Sequence, residues 1–180
     1  VLSDYQELLN KSYSLVNEEQ IERIVNIIST QKRIYVYGKG SSGLVAMEMK
    51  LRFMRIGVTI EAITDEDIMK MNSVLLDEDC AVIGISVSGK TESVIHSLQS
   101  AKKCGASVIL MTSHIENRFQ GFCDEIMLFA VKANLEKGKA ISPQFPILIM
   151  VDLIYSYMLR KDHFRRETLH EYTLDVLERN

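Results

Sequence analysis

The sequence predicts an α/β fold, a parallel sheet with helices on both faces, and three observations carry that expectation. Short apolar runs alternate with helix-like stretches from about residue 33 to residue 160. Gly57 and Gly105 fall where helices should stop, because glycine readily takes the left-handed conformation that closes a helix. Two glycine-serine turns each follow an apolar run and open a helix-like stretch. In such sheets ligands bind beyond the carboxyl ends of the strands.

Taken in order, residues 1–30 read as two helices, the second carrying Ile21, Ile24, Val25 and Ile28 at helical spacing behind an Asn17–Gln20 capping pair. Strands are expected at 33–37, 58–63, 81–86, 107–112 and 125–130, with helices near 42–56, 65–76, 91–104 and, shorter, 115–121. Residues 131–142 read as a loop. Pro143 and Pro146 suit the start of a helix running to about 160, and Asp162 is placed to cap a last helix with Leu169, Tyr172 and Val176 on one face. The expected organisation is a lead-in segment at 1–30, one α/β domain at 31–160 and a C-terminal helix at 161–180.

Composition narrows the class of protein. With 180 residues and 47% hydrophobic content the chain can bury one domain-sized core. The net charge of −3 gives no global reason to expect nucleic-acid binding by these residues. Cys80, Cys104 and Cys123 are odd in number and far apart, without metal-ligand spacing, and read as free thiols of a reducing compartment. No apolar run is long enough to span a bilayer and no signal peptide pattern is visible, so the expected location is cytoplasmic. No cofactor and no metal is expected. Val1 is not an initiator methionine, which reads as a fragment or a processed product.

The chemistry concentrates in the turns Gly38-Lys39-Gly40-Ser41-Ser42-Gly43 and Ser86-Val87-Ser88-Gly89-Lys90-Thr91. A helix N-terminus carries unpaired N–H groups and partial positive charge, so it suits a phosphate. Glycine lets the backbone approach the ligand, and hydroxyls donate without bulk. Serine and threonine also cap helices well, so the competing reading is capping alone. Lys39 and Lys90 could add charge or simply be solvated.

Two other phosphate motifs fit locally. Gly38–Gly43 satisfies the dinucleotide pattern, with Glu61 or Asp65 as the ribose-binding acid, although either is as simply a solvent-facing or capping residue. Gly84 with Gly89-Lys90-Thr91 imitates a Walker A loop, and Asp152 after Ile147–Val151 a Walker B. Against these, Gly84 lies inside the apparent strand, and the stretch around Asp152 continues without a turn.

The ordered pair, a GxGxS turn after the first strand and SxSGxT after the third, resembles the sugar isomerase (SIS) fold. That resemblance implies a three-layer αβα sandwich with a five-stranded, flavodoxin-like parallel sheet, flanked here by N- and C-terminal helices. It implies sugar phosphate binding by Gly40, Ser41, Ser42, Ser86, Ser88, Gly89 and Thr91. Single-domain isomerases of that superfamily carry a glutamate before the helix after strand five. Here the region reads Ala140-Ile141-Ser142-Pro143-Gln144-Phe145-Pro146, and an amide does not serve as a base at neutral pH. His114, His163, His170 and Glu136 offer no better-placed base.

Over its whole length the chain is similar to the effector domain of RpiR-type transcription regulators, through the leading helix to Arg23, Ser42-Gly43-Leu44-Val45-Ala46, Ile63-Thr64-Asp65 and Val151-Asp152-Leu153-Ile154-Tyr155. This likeness implies a non-catalytic sugar phosphate sensor acting on DNA only through a helix-turn-helix domain absent from this chain. A phosphosugar isomerase is the alternative. A homodimer or higher homo-oligomer is expected, since an operator with two half-sites calls for a two-fold protein.

Overall fold

A computed structural model describes residues 1–131 and 140–179. Two N-terminal helices, α1 (Leu2–Ser14) and α2 (Glu18–Thr30), precede the alternating part. Then follow β1 (Arg33–Tyr37), α3 (Ser41–Met54), β2 (Ile60–Ile63), α4 (Glu66–Ser73), β3 (Cys80–Ile85), α5 (Glu92–Lys103) and β4 (Ser107–Thr112). A short 3-10 helix (Asn117–Gly121), β5 (Glu125–Leu128), α6 (Gln144–Lys161) and α7 (His163–Glu178) complete the order. The five strands form one sheet in the order β2-β1-β3-β4-β5, every pair parallel. This is the expected three-layer α/β architecture.

Side-chain alternation divides the core between the two faces. Ile34, Val36, Ala81, Ile83, Ile109 and Met111 face α2, α3 and α6, whereas Tyr37, Val82, Val108 and Leu110 face α4 and α5. β3 is central and buried at every position, which explains its unbroken apolar sequence. The α2 residues Ile21, Ile24, Val25 and Ile28 are buried in the first of these clusters, each contributing about 1.5–3 kcal/mol. Asn17 caps that helix, its side-chain oxygen accepting from the Gln20 N–H at 3.0 Å.

Several expected boundaries move for local reasons. β2 starts at Ile60 rather than 58 because Gly57, at φ 86°, and the Val58 N–H bond to Phe53 O still close α3. α4 ends at Ser73, where Leu75 N–H bonds Asn72 O in a turn. β5 stops at Leu128, though the Phe129 N–H reaches Thr112 O at 3.1 Å. The segment before β5 is 3-10, not α. Asp162 stands at the cap of α7, but its side chain makes no capping bond there, contrary to expectation. Of the loop expected at 131–142, residues 132–139 lie outside the described residues, and with them Glu136.

Candidate functional site

The two turns emerge side by side. β1 pairs with β3, Tyr37 lying opposite Gly84, so the chain leaves both strands at the same edge of the sheet. β1 also pairs with β2 on its other side, which makes the β1–β3 gap the point where strand order reverses. Helices from neighbouring strands diverge to opposite faces there: α3 packs with α6, α5 with α4. This is the switch point at which open α/β sheets leave a crevice for ligands, here flanked by two helix N-termini.

Glycine packing shapes the first turn. A Cβ on Gly38 would meet Ser42 O at 2.6 Å, and one on Gly43 would meet Gly38 O at 3.0 Å. Gly40, the cap of α3, sits at φ 55° and ψ −127°, while the space its Cβ would enter is open. The serines do not cap: Gly40 holds the cap position, and no side chain among the described residues bonds the first N–H groups of α3. Ser42 is buried and Ser41 half-buried. Lys39 is ion-paired with Glu66.

Hydroxyls and long-range staples shape the second turn. Buried Ser86 Oγ donates to Thr91 Oγ1 at 3.0 Å, and the Lys90 N–H donates to Ser88 Oγ at 3.1 Å. Thr91 is the cap residue of α5 without a side-chain capping bond. Gly89 sits at φ 67°, and a Cβ there would meet Phe119 Cζ at 2.8 Å. Just after β4, the Ser113 hydroxyl and N–H both donate to Val87 O, at 2.7 and 3.1 Å. Lys90 is exposed, and no carboxylate pairs with it among the described residues.

Sequence reasoning missed Arg118. Its Nη2 donates to Gly89 O at 3.3 Å and its Nε to Glu116 Oε2 at 2.7 Å, with Glu92 at 3.9 Å. That hydrogen bond holds the Glu116 carboxyl below its ordinary value. An arginine after β4 was visible, but its approach to Gly89 depends on β3 and β4 being neighbours.

The competing motifs resolve on geometry. Asp65 caps α4, accepting from the Asp67 and Ile68 N–H groups at 3.0 and 2.9 Å, and exposed Glu61 pairs with Lys50 at 2.7 Å. Gly84 is a spacer within β3, since a Cβ there would meet Leu98 Cδ1 at 2.5 Å. Asp152 lies inside α6 and pairs with Arg52. Neither belongs to a nucleotide-hydrolysing loop. Gln144 opens α6, its N–H donating to Ser142 Oγ at 3.2 Å. His114 is near Glu116 at 3.5 Å, and His163 pairs with Glu167 at 3.3 Å on α7. The three cysteines are free; burial pushes the Cys123 thiol up to about 12. Among the described residues no helix is long and apolar enough to cross a membrane.

This paired-turn architecture is that of a SIS domain, and the chain belongs to that family, with residues 27–152 matching it. Several of its curated relatives are helix-turn-helix transcriptional regulators. The Escherichia coli K12 regulator RpiR is 28% identical over 142 residues, covering 79% of this chain and 48% of its own. The chain spans roughly half to six-tenths of the length of the curated relatives it matches first. Among solved structures, Vibrio vulnificus NanR complexed with ManNAc-6P superposes with a TM-score of 0.88 at 21% identity, over 98% of this chain and 66% of that one. The sugar isomerase domain of an RpiR transcription factor from Sphaerobacter thermophilus gives 0.85 at 20% identity, over 100% and 97%. A phosphoheptose isomerase from Neisseria gonorrhoeae shares the fold as well, with a TM-score of 0.71 at 13% identity over 87% of this chain and 94% of that one.

Proposed function

We propose that this domain senses a sugar phosphate and passes its binding state to a helix-turn-helix DNA-binding domain in a longer protein. The observation that carries the reading is the β1–β3 crevice, where both turns meet and their hydroxyls do not cap the helices. Ser86, Ser88 and Thr91, with the backbone at Gly89, hold the phosphate at the α5 terminus. Gly40, Ser41 and Ser42 serve the opposite wall. Hydrogen bonds to a charged group contribute about 1.5–3 kcal/mol each, so several hydroxyl and amide donors hold a dianion firmly. The names of the relatives support a regulator over an enzyme.

The sensor acts as a homodimer. α7 buries none of its residues, and α3 exposes Leu44, Met47, Leu51 and Met54 along one side, apolar surface available for a second copy. The ligand shifts the dimer between two arrangements by its differential affinity for them.

A thermal-shift screen against sugar phosphates, the unphosphorylated sugars and Mg-ATP tests the function. Stabilisation by one or a few sugar phosphates alone is expected, about 2.7 kcal/mol at a hundredfold excess over the dissociation constant. Stabilisation by Mg-ATP alone would overturn it, and turnover of an aldose or ketose phosphate would replace it with an isomerase.

A further inference from the structure

At the edge of the sheet opposite the two turns, a cavity of about 220 Å³ lies between the end of α2, the α3–β2 connection and the first turn of α7. Its lining includes Ser29, Lys32, Thr59, Arg165 and Arg166. Three cations therefore converge on a small space. Their local partners leave that charge poorly answered. Lys32 is paired with Asp79 at 2.8 Å across an exposed surface. Arg166 Nη1 donates to Ile56 O at 3.2 Å, but its Nε is buried without a hydrogen-bond partner. Arg165 is exposed, and no carboxylate pairs with it among the described residues. Ser29 Oγ has only the weak acceptor Met158 Sδ, at 3.4 Å.

The helix that supplies the arginines makes the imbalance worse. The first turn of α7 holds no acidic residue, so Arg165 and Arg166 stand on the positive end of its dipole. Asp162, just before them, is the one carboxylate that offsets Arg166. Burial pulls the Arg166 guanidinium below its ordinary value, and the Arg165 charge adds to that pull. A phosphate in the cavity would answer the charge of Lys32, Arg165 and Arg166 with charge-assisted hydrogen bonds.

We propose that this cavity binds a phosphate group, separately from the serine turns. Its volume is below the roughly 300–1,000 Å³ of sites for drug-sized ligands, which fits a phosphate or the phosphate-bearing end of a small molecule. Bound there, the anion would bridge α2 to α7 and hold the start of the C-terminal helix against the α3–β2 connection.

The test is titration with inorganic phosphate at constant ionic strength, followed by calorimetry and by amide exchange of α7. Three proteins are compared: wild type, Ser88→Ala/Thr91→Ala, and Lys32→Gln/Arg165→Gln, whose altered side chains are exposed. The serine-turn variant should still bind phosphate with protection of α7. The Lys32→Gln/Arg165→Gln variant should lose that protection and bind at least tenfold more weakly at this site. Arg165→Gln alone, the mildest change, should show the same direction if the double variant folds poorly. Equal affinity and protection in wild type and both glutamine variants would overturn the proposal. So would loss of all phosphate binding in the serine-turn variant. A glycerol phosphate titration separates sources: tighter binding than phosphate assigns the site to the end of a larger ligand, weaker binding to the free ion, and either supports the site. This result is independent of whether the serine turns hold a sugar phosphate.

Discussion

The two turns at the crevice present similar residues, yet they are built by different physics. In the first, glycines let the backbone fold tightly on itself, Gly38 against Ser42 and Gly43 against Gly38, and the serine hydroxyls are left outside the capping. In the second, the hydroxyls bond within the turn, and Arg118, Ser113 and Phe119 brace it from β4 and the segment beyond. The first wall is shaped by what is missing from its side chains, the second by what its side chains and neighbours hold. A braced donor set loses little freedom when a ligand arrives, so under the proposed function the second turn should be the better phosphate cradle.

That contrast can be broken, most strongly at Gly38. Gly38→Ala forces a Cβ against backbone and should cost about 1–3 kcal/mol, read as a lowered melting temperature. Gly40→Ala enters open space, so its cost is conformational strain alone, about 1–2 kcal/mol. Equal losses at both positions would mean that sterics do not shape the first turn.

The next largest effects fall on binding. Ser88→Ala and Thr91→Ala should each weaken sugar phosphate binding about tenfold or more, a loss of about 1.4 kcal/mol. Ser41→Ala should cost less, because its wall is not the braced one. Calorimetry on the three variants decides; the reverse order would make the first turn the phosphate cradle.

Arg118→Gln should loosen the second turn and weaken binding by about threefold, about 0.6 kcal/mol, without touching the first turn. Rescue by Arg118→Lys would indicate that charge, rather than the directed bond to Gly89 O, is what matters. The smallest effect is on pH dependence. The bond to Arg118 lowers the Glu116 pKa, so the stability it adds is complete above about pH 4.3, the usual glutamate value, and fades as pH falls through the lowered one. As pH falls through the lowered value, melting curves for wild type and Glu116→Gln should converge; a constant difference would remove the pair from the account.

Much of this was legible in the sequence because its causes are local. β1, β3 and β4 carry apolar runs that only buried parallel strands need, and each turn announces itself by glycine and serine next to such a run. Asn17 and Asp65 cap helices by bonds to residues two or three positions away. What stayed hidden depends on neighbours in space. Arg118 meets Gly89 across 29 residues, and Leu98 explains Gly84 only once α5 lies over β3. Asp162 looked like a cap by residue type, but its backbone, at φ −146° and ψ 63°, leaves the carboxylate without the capping bond.

The pairing of β1 with β3 has a consequence for how the molecule comes apart. Tyr37 and Gly84 lie side by side although a whole helix-strand-helix excursion separates them, so that ladder closes a long loop and forms slowly. The crevice cannot exist before it does. A ligand held across that ladder would therefore be absent from the early steps of folding and present in the native state alone. It should slow unfolding while leaving the folding rate nearly unchanged, so under the proposed function the domain's lifetime, more than its speed of assembly, would follow the supply of its effector.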